Sequence, residues 1–166
     1  KSYPGQQSDR YFIRKKPVGL HIRLAFFYYR SRFVFEVGRS SMKYFSMLIK
    51  PASSLCNMRC TYCFYEDVSS KRSVSNHGIM SLDTMEKLID KTLNMFDEEV
   101  MITYAFQGGE PTLAGLEYFE KFTERVNLRK KAFHHVTYCL QTNGLLIDDK
   151  WCEFFKRNKF LIGVSL

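Results

Sequence analysis

The chain has 166 residues, of which 45% are hydrophobic and 16% aromatic, so it can bury the core of about one domain but is short for a complete closed α/β barrel. Its formal net charge is +8, but residues 1–41 carry +7 of that charge and residues 42–166 carry only +1. We therefore predict no nucleic-acid partner for the folded part. The sequence has no run approaching the roughly 18 apolar residues of a membrane span, so we predict no membrane partner.

Residues 1–41 show no steady helical or strand pattern, because charges such as Arg30 and Arg32 interrupt their aromatic runs. A regular pattern begins at Met42, which we interpret as the natural start of the folded domain. We predict that residues 1–41 are a basic extension that is disordered or not native, and the alternative is a targeting or basic tail.

Five cysteines in a chain without a clear secretory signal indicate a reducing compartment, and we predict a cytoplasmic protein. In such a compartment, clustered thiols bind metal more often than they form disulfides. Cys56, Cys60 and Cys63 are clustered in the sequence. Cys139 and Cys152 stand apart and are predicted to be small buried residues.

From Met42 onward, strand patterns alternate with helix patterns. The predicted strands cover residues 44–50, 100–106, 136–140 and 160–166. The predicted helices cover about residues 82–96, which follow the N-cap Ser81, about residues 115–131, and a segment that begins after the N-cap Asp148. The polar residues 66–78 are predicted to form a surface loop. This alternation predicts an α/β fold in which right-handed β-α units build a parallel sheet.

Three unusual segments each follow one of the first three predicted strands. They are the cysteine loop around residues 56–63, the turn Gln107-Gly108-Gly109-Glu110-Pro111 and the turn Gln141-Thr142-Asn143-Gly144. In parallel sheets and barrels, functional groups gather at the carboxyl ends of the strands. We therefore expect these three segments to lie on one rim of the sheet.

The cysteine loop has the spacing C-x-x-x-C-x-x-C at Cys56, Cys60 and Cys63. Three thiolates can hold an iron–sulfur cluster of four irons and leave one iron open to a small molecule. A structural zinc ion is the alternative, but it usually has four ligands in two separated pairs, and no second C-x-x-C pair exists here. His77 is the candidate for a fourth zinc ligand.

The turn at residues 107–111 suits a ligand that carries an amino group. Gly108 and Gly109 leave their backbone open to close approach, Glu110 adds a negative charge, and Pro111 restricts Glu110 to an extended conformation. An ordinary tight turn is the alternative for this segment. For residues 141–144, an ordinary turn explains the Asn143-Gly144 pair nearly as well, and their position on the rim is what favours a functional role.

The motif Cys56-x-x-x-Cys60-x-Tyr62-Cys63, followed by Gly108-Gly109-Glu110-Pro111, resembles the radical S-adenosylmethionine (radical SAM) superfamily. Longer stretches resemble the anaerobic sulfatase-maturating enzymes within it, namely residues 56–66, 78–81, 106–113 and 140–144. The resemblance covers residues 42–166 and none of residues 1–41. It implies that residues 42–166 are the N-terminal part of a partial (β/α) barrel of the radical SAM type, truncated after about four parallel strands and three helices.

The resemblance also implies roles for individual residues. Cys56, Cys60 and Cys63 would bind a [4Fe-4S] cluster whose fourth iron is chelated by S-adenosylmethionine. The cofactor-binding residues would be Tyr62 near the adenine, the segment Gly108, Gly109, Glu110 and Pro111 at the methionine amino group, and Gln141 and Asn143 along the cavity. Reductive cleavage of the cofactor would give a 5′-deoxyadenosyl radical that takes a hydrogen from a Cys or Ser of a sulfatase, and oxidation to Cα-formylglycine would follow.

Members of this group continue through further barrel units and a C-terminal domain with cysteines for auxiliary clusters. This sequence ends at Leu166, so we assign no catalytic residue within it and expect the substrate base beyond Leu166. The chain alone is therefore predicted not to mature a sulfatase, and an open edge at its fourth strand predicts poor solubility. The implied partners are a sulfatase polypeptide and an electron donor such as ferredoxin or flavodoxin.

Two alternative functions remain open from the sequence. One is a radical SAM maturase of another peptide, for example one that forms thioether crosslinks, since the shared motifs bind only the shared cofactor. The other is a non-catalytic module that binds an iron–sulfur cluster or zinc.

Overall fold

The computed structural model describes residues 42–165, except for the side chains of Phe64 and Asp67. The prediction for residues 1–41 lies outside the described residues and stays a prediction. The strands are β1 (Lys43–Ile49), β2 (Val100–Phe106), β3 (His134–Thr142) and β4 (Leu161–Val164). The helices are α1 (Phe64–Ser70), α2 (Leu82–Leu93), α3 (Leu116–Arg129) and α4 (Asp149–Arg157), and a short 3₁₀ turn covers Pro111–Ala114.

The four strands form one parallel sheet in the order β1-β2-β3-β4. Near the carboxyl ends, Ile49 pairs with Phe106, Phe106 with Leu140, and Leu140 with Ile162. The last residues of β1 and β2 therefore lie side by side, and β3 continues two residues further. The predicted α/β fold with parallel strands is confirmed.

One face of the sheet is covered by helices α2, α3 and α4. Val100, Ile102, Tyr104 and Phe106 alternate along β2 with less buried residues, as expected for a strand of β-branched and aromatic residues that is covered on one side. The ring of Phe106 lies 5.0 Å from the rings of both Phe119 and Phe122 on α3, in edge-to-face contacts. The hydrophobic core therefore lies between the sheet and its helices.

The opposite face of the sheet carries both polar and apolar side chains, Leu48 and Met101 among the latter, and borders a groove of about 720 Å³. Thr103 and Thr137 lie in this groove, and their hydroxyls are 2.9 Å apart. Cys139 also lines it and is half-buried, and burial raises the pKa of its thiol. Cys152 lies exposed on α4, so the prediction that both of these cysteines are buried is wrong for Cys152 and only partly met for Cys139. Cys139 on β3 and Cys152 on α4 each lie on the side of their element that faces away from the core.

The predicted helix caps are confirmed. Ser81 Oγ accepts a hydrogen bond from the Thr84 backbone N–H at 3.1 Å, and Asp148 Oδ1 accepts one from the Trp151 N–H at 3.0 Å. Helix α2 ends at Leu93, earlier than the predicted residue 96, and α3 is shorter than predicted by one residue at its start and two at its end. Within residues 42–165, no helix combines the length and the apolar content that a bilayer crossing requires.

Helix α1 corrects the predicted loop over residues 66–78, because residues 66–70 are helical. With seven residues, α1 is too short to display an apolar stripe, and its charged and serine residues gave the pattern of a loop. Tyr65 on α1 packs against the end of β1, where the Lys50 ammonium lies 4.6 Å from the centre of its ring. The helix thus attaches the chain after the cysteine loop to the end of β1.

Candidate functional site

The three unusual segments meet at the carboxyl ends of β1, β2 and β3. Together they line a cavity of about 290 Å³. Its lining includes nearly all of the predicted site residues, namely Cys56, Cys60, Tyr62, Cys63, Gly108, Gly109, Glu110, Gln141 and Asn143. Pro111 is buried at the start of the 3₁₀ turn and does not line this cavity. The expectation that the three segments share one rim is therefore met.

The two glycines allow the backbone of the cysteine loop to approach closely. A Cβ atom on Gly109 would lie 2.0 Å from the Leu55 carbonyl oxygen, and one on Gly108 would lie 2.7 Å from the Ser53 carbonyl oxygen. Gly108 also has a φ of +133°, a value that residues with side chains rarely adopt. The space that the sequence analysis assigned to a ligand is therefore occupied, in part, by the chain that leads into Cys56.

Hydrogen bonds join the same two segments. The Gly109 N–H donates to the Ser53 carbonyl at 3.1 Å, and the Glu110 N–H donates to the Leu55 carbonyl at 2.6 Å. Within residues 42–165, the carbonyls of Gly108 and Gly109 accept no hydrogen bond. These two carbonyls are acceptors, which suit the N–H donors of an amino group.

Glu110 is buried, with a relative exposure of 1%. Its Oε1 accepts hydrogen bonds from the Thr112 N–H (3.0 Å), the Thr112 hydroxyl (2.6 Å) and the Thr142 hydroxyl (2.7 Å). Its Oε2 accepts one from the Asn143 N–H at 2.7 Å. The carboxylate therefore connects the end of β2 to the end of β3, and a buried charge with four donors is well compensated.

Asn143 connects the end of β3 to the cysteine loop. Its Nδ2 donates to Asn57 Oδ1 at 2.8 Å and lies 3.9 Å from Cys56 Sγ, and its Oδ1 accepts from the Leu145 N–H at 3.0 Å. Gly144 follows with a φ of +79°, so the predicted turn is also present. The three segments are thus connected in a closed triangle: cysteine loop to glycine turn, glycine turn to β3, and β3 to cysteine loop.

Gln141 has a different environment from Asn143. Its side chain lies on the open face of the sheet and donates to the Ser165 hydroxyl at 2.8 Å. Because Gln141 lines both the groove and the smaller cavity, it lies where the two spaces meet.

The three thiols lie in one short loop. Cys56 is exposed, Cys60 and Cys63 are half-buried, and the Cys63 N–H donates to the Cys60 carbonyl at 3.1 Å. Cys56 Sγ also accepts a hydrogen bond from the Met58 N–H at 3.4 Å. Three thiols that line one cavity, with N–H groups directed at a sulfur, fit the ligand set of an iron–sulfur cluster.

No three Cys, His, Asp or Glu side chains within the described residues are placed to share a single metal ion. A four-iron cluster spreads its thiolates, because each thiolate binds a different iron. His77, the candidate fourth ligand of the zinc alternative, is exposed and does not line the cavity. Its backbone N–H donates to the Ser53 hydroxyl at 3.1 Å, so this segment supports the loop through its main chain.

Sequence reasoning missed the two threonines that hold Glu110. The contact with Thr112 could have been predicted from the sequence, since Glu110 is the N-cap of the 3₁₀ turn and accepts a hydrogen bond from the residue two positions later. The contact with Thr142 could not, because its partner Glu110 lies 32 residues earlier in the chain. Gln107 was also missed, and its Nε2 donates to the Tyr65 hydroxyl at 2.9 Å, which connects the glycine turn to α1.

Comparisons with known proteins agree with this geometry. The family model described as the radical SAM superfamily matches residues 51–166. A cysteine-type anaerobic sulfatase-maturating enzyme of Clostridium novyi is 46% identical over 125 residues, which are 75% of this chain and 33% of that protein. A serine-type anaerobic sulfatase-maturating enzyme of Bacteroides thetaiotaomicron is 34% identical over 122 residues, which are 72% of this chain and 28% of that protein.

A solved structure of native anSMEcpe with bound AdoMet and Cp18Cys peptide has a TM-score of 0.64 and 45% identity to this chain. The match covers 74% of this chain and 31% of that structure. The chain thus spans about a third of the length of the relatives that it matches. Because the family model covers most of the chain, including the cysteine loop and both turns, the chain belongs to the radical SAM superfamily.

Proposed function

We propose that this chain is the cluster- and cofactor-binding part of an anaerobic sulfatase-maturating enzyme, which oxidises a Cys or Ser of a sulfatase to Cα-formylglycine. The observation that carries this proposal is the closed triangle of three rim segments around one cavity, which contains three thiols and two free backbone carbonyls. The relatives named as sulfatase-maturating enzymes, of both cysteine type and serine type, support the reaction class.

In this proposal Cys56, Cys60 and Cys63 hold a [4Fe-4S] cluster, and the carbonyls of Gly108 and Gly109 accept hydrogen bonds from the amino group of S-adenosylmethionine. When bound, the cluster and the cofactor supply an electron and a 5′-deoxyadenosyl radical. Tyr62 is 74% exposed at the cavity and offers an aromatic face to the adenine.

The substrate of the proposed reaction is a sulfatase peptide, and the electron donor is a ferredoxin or flavodoxin. The open face of the sheet leads to the cavity through Gln141 and Gln107, which line both spaces. In this arrangement the peptide side chain approaches the cofactor from the groove side, and the helices exclude water from the other side. We assign the base that takes the substrate proton to no residue of this chain.

Anaerobic reconstitution with iron and sulfide tests the proposal. We expect about four irons and four sulfides per chain, with a paramagnetic signal after reduction. Cys60→Ser should lose this cluster, whereas Cys152→Ser should keep it, because Cys152 lies exposed on α4. About one zinc and no sulfide per chain would contradict the radical SAM interpretation.

Two further measurements test the reaction itself. With dithionite and S-adenosylmethionine, the reconstituted chain should form 5′-deoxyadenosine, which liquid chromatography detects. The chain spans about a third of the length of the relatives that it matches, so by itself it should leave a synthetic sulfatase peptide unchanged. Conversion of a Cys or Ser of that peptide to formylglycine by this chain, even in a single turnover, would refute this last expectation.

A further inference from the structure

We infer that Asn143 is a positioning residue for the cysteine loop: its side-chain amide fixes Cys56 and thereby raises the reduction potential of the cluster that Cys56 would bind. This inference rests on the proposed function, because it requires a cluster at Cys56, Cys60 and Cys63. In this role Asn143 acts on the cluster through the side chain of Cys56 and not by direct contact with the cofactor.

Both polar atoms of the Asn143 side chain have partners. An amide has two donor hydrogens and one acceptor oxygen. The nitrogen donates to Asn57 Oδ1 at 2.8 Å and to Cys56 Sγ at the longer distance of 3.9 Å. The oxygen accepts the Leu145 N–H at 3.0 Å. An amide is therefore the group this position requires, and an isosteric carboxylate would lose both donor contacts.

The backbone of Asn143 is held as firmly as its side chain. Its N–H donates to Glu110 Oε2 at 2.7 Å, and that carboxylate is only 1% exposed. Hydrogen bonds to a buried charged acceptor are short and strong. Glu110 therefore orients Asn143, and Asn143 in turn orients the loop residues Cys56 and Asn57.

A donor near the sulfur has a predictable electrostatic effect. Reduction adds an electron to the cluster, and part of the added charge resides on the ligand sulfurs. N–H groups directed at a ligand sulfur stabilise this more negative state, so hydrogen bonds to the sulfurs are among the factors that set the potential. Asn143 and the Met58 N–H, at 3.4 Å, are the two donors directed at Cys56 Sγ within residues 42–165.

The test is a redox titration of the full chain, reconstituted anaerobically with iron and sulfide and followed by electron paramagnetic resonance. The midpoint potential of Asn143→Ala should be lower than that of the wild type, and that of Asn143→Asp lower still because the carboxylate adds a negative charge. The matched control is Asn158→Ala. This variant removes a hydrogen bond of 3.0 Å from the Asn158 side-chain amide to the Phe154 carbonyl, which lies at the opposite end of the strands from the cysteine loop. Its potential should equal that of the wild type.

Asn57→Ala provides a second variant that leaves β3 intact. It removes the 2.8 Å anchor of the Asn143 amide, so its potential should fall by less than that of Asn143→Ala. If the Asn143 variants lose the cluster, the positioning role is tested by their thermal unfolding and by the midpoint potential of Asn57→Ala. An unchanged unfolding temperature or a lowered Asn57→Ala potential supports the positioning role. A lower unfolding temperature together with a wild-type potential in Asn57→Ala overturns it.

Wild-type potentials in both Asn143 variants, with full iron content, would also overturn the inference while the proposed function stands. Failure of the wild-type chain to bind iron and sulfide would instead contradict the proposed function. The two failures are therefore distinguishable.

Discussion

Replacing Glu110 by Gln tests whether the buried carboxylate connects the carboxyl ends of β2 and β3. The amide can keep its oxygen toward Thr112 and Thr142, where three donors converge on Oε1. Its NH₂ group then faces the Asn143 N–H, which lies 2.7 Å from Oε2 in the wild type. Two donors would thus meet, and this connection to β3 would be lost.

The expected cost follows from these contacts. Losing one hydrogen bond to a charged acceptor costs roughly 1.5–3 kcal/mol, and the three that remain become weaker neutral bonds. The neutral amide is easier to bury than the carboxylate, which offsets part of that loss. We expect a net decrease of about 2–3 kcal/mol in the free energy of unfolding, which lowers the unfolding temperature of a domain of this size by roughly 6–12 °C.

Thermal and urea unfolding of the cluster-free chain, followed by circular dichroism, measures this change. Glu117→Gln is the matched control, because Glu117 is exposed on α3 and, among the described residues, pairs only with Lys121 one turn away, at 2.7 Å. Its unfolding temperature should stay within error of the wild type. If Glu110→Gln and Glu117→Gln unfold together at the wild-type temperature, the Glu110 carboxylate does not stabilise the connection between β2 and β3.

Two further predictions concern the rim and the core. Gly109→Ala would place a Cβ 2.0 Å from the Leu55 carbonyl oxygen, so the cysteine loop must move and iron content after reconstitution should fall. Gly78→Ala is the control, because a Cβ at Gly78 would meet open space and only the φ of +73° is unfavourable for it. This variant should keep the cluster. Equal iron content in the two variants would contradict the prediction that a Cβ at Gly109 displaces the cysteine loop. Tyr118 has a buried hydroxyl with no partner among the described residues, and burial raises its pKa from 10.0 to about 12. Tyr118→Phe should therefore increase the free energy of unfolding by roughly 1 kcal/mol at neutral pH. The raised pKa means that the folded state keeps its proton while the unfolded state loses it, so stability falls as the pH rises from about 10 to about 12. That fall should be shallower in Tyr118→Phe, and an unchanged profile or a less stable variant would contradict this explanation.

Local patterns were sufficient to predict most of the secondary structure. The strand Val100–Phe106 has the predicted bounds, because its alternation of buried and less buried residues is a property of consecutive positions. Ser81 and Asp148 cap their helices through residues only three positions away. Helix α1 escaped prediction because seven residues carry too little periodicity.

The order of strands and motifs along the chain also predicted which segments form the site. Parallel strands end at a common edge, so motifs that follow successive strands must lie on one rim, and the three thiols, the glycine turn and residues 141–144 do. The roles within the site depended on the tertiary structure. Whether Glu110 faces a ligand or the protein interior depends on the donors that Thr142 and Asn143 supply from β3, 32 and 33 residues later. Likewise, only the packed backbone of Ser53 and Leu55 shows that the glycines make room for the cysteine loop, because spacing along a chain contains no information about which distant segment approaches it.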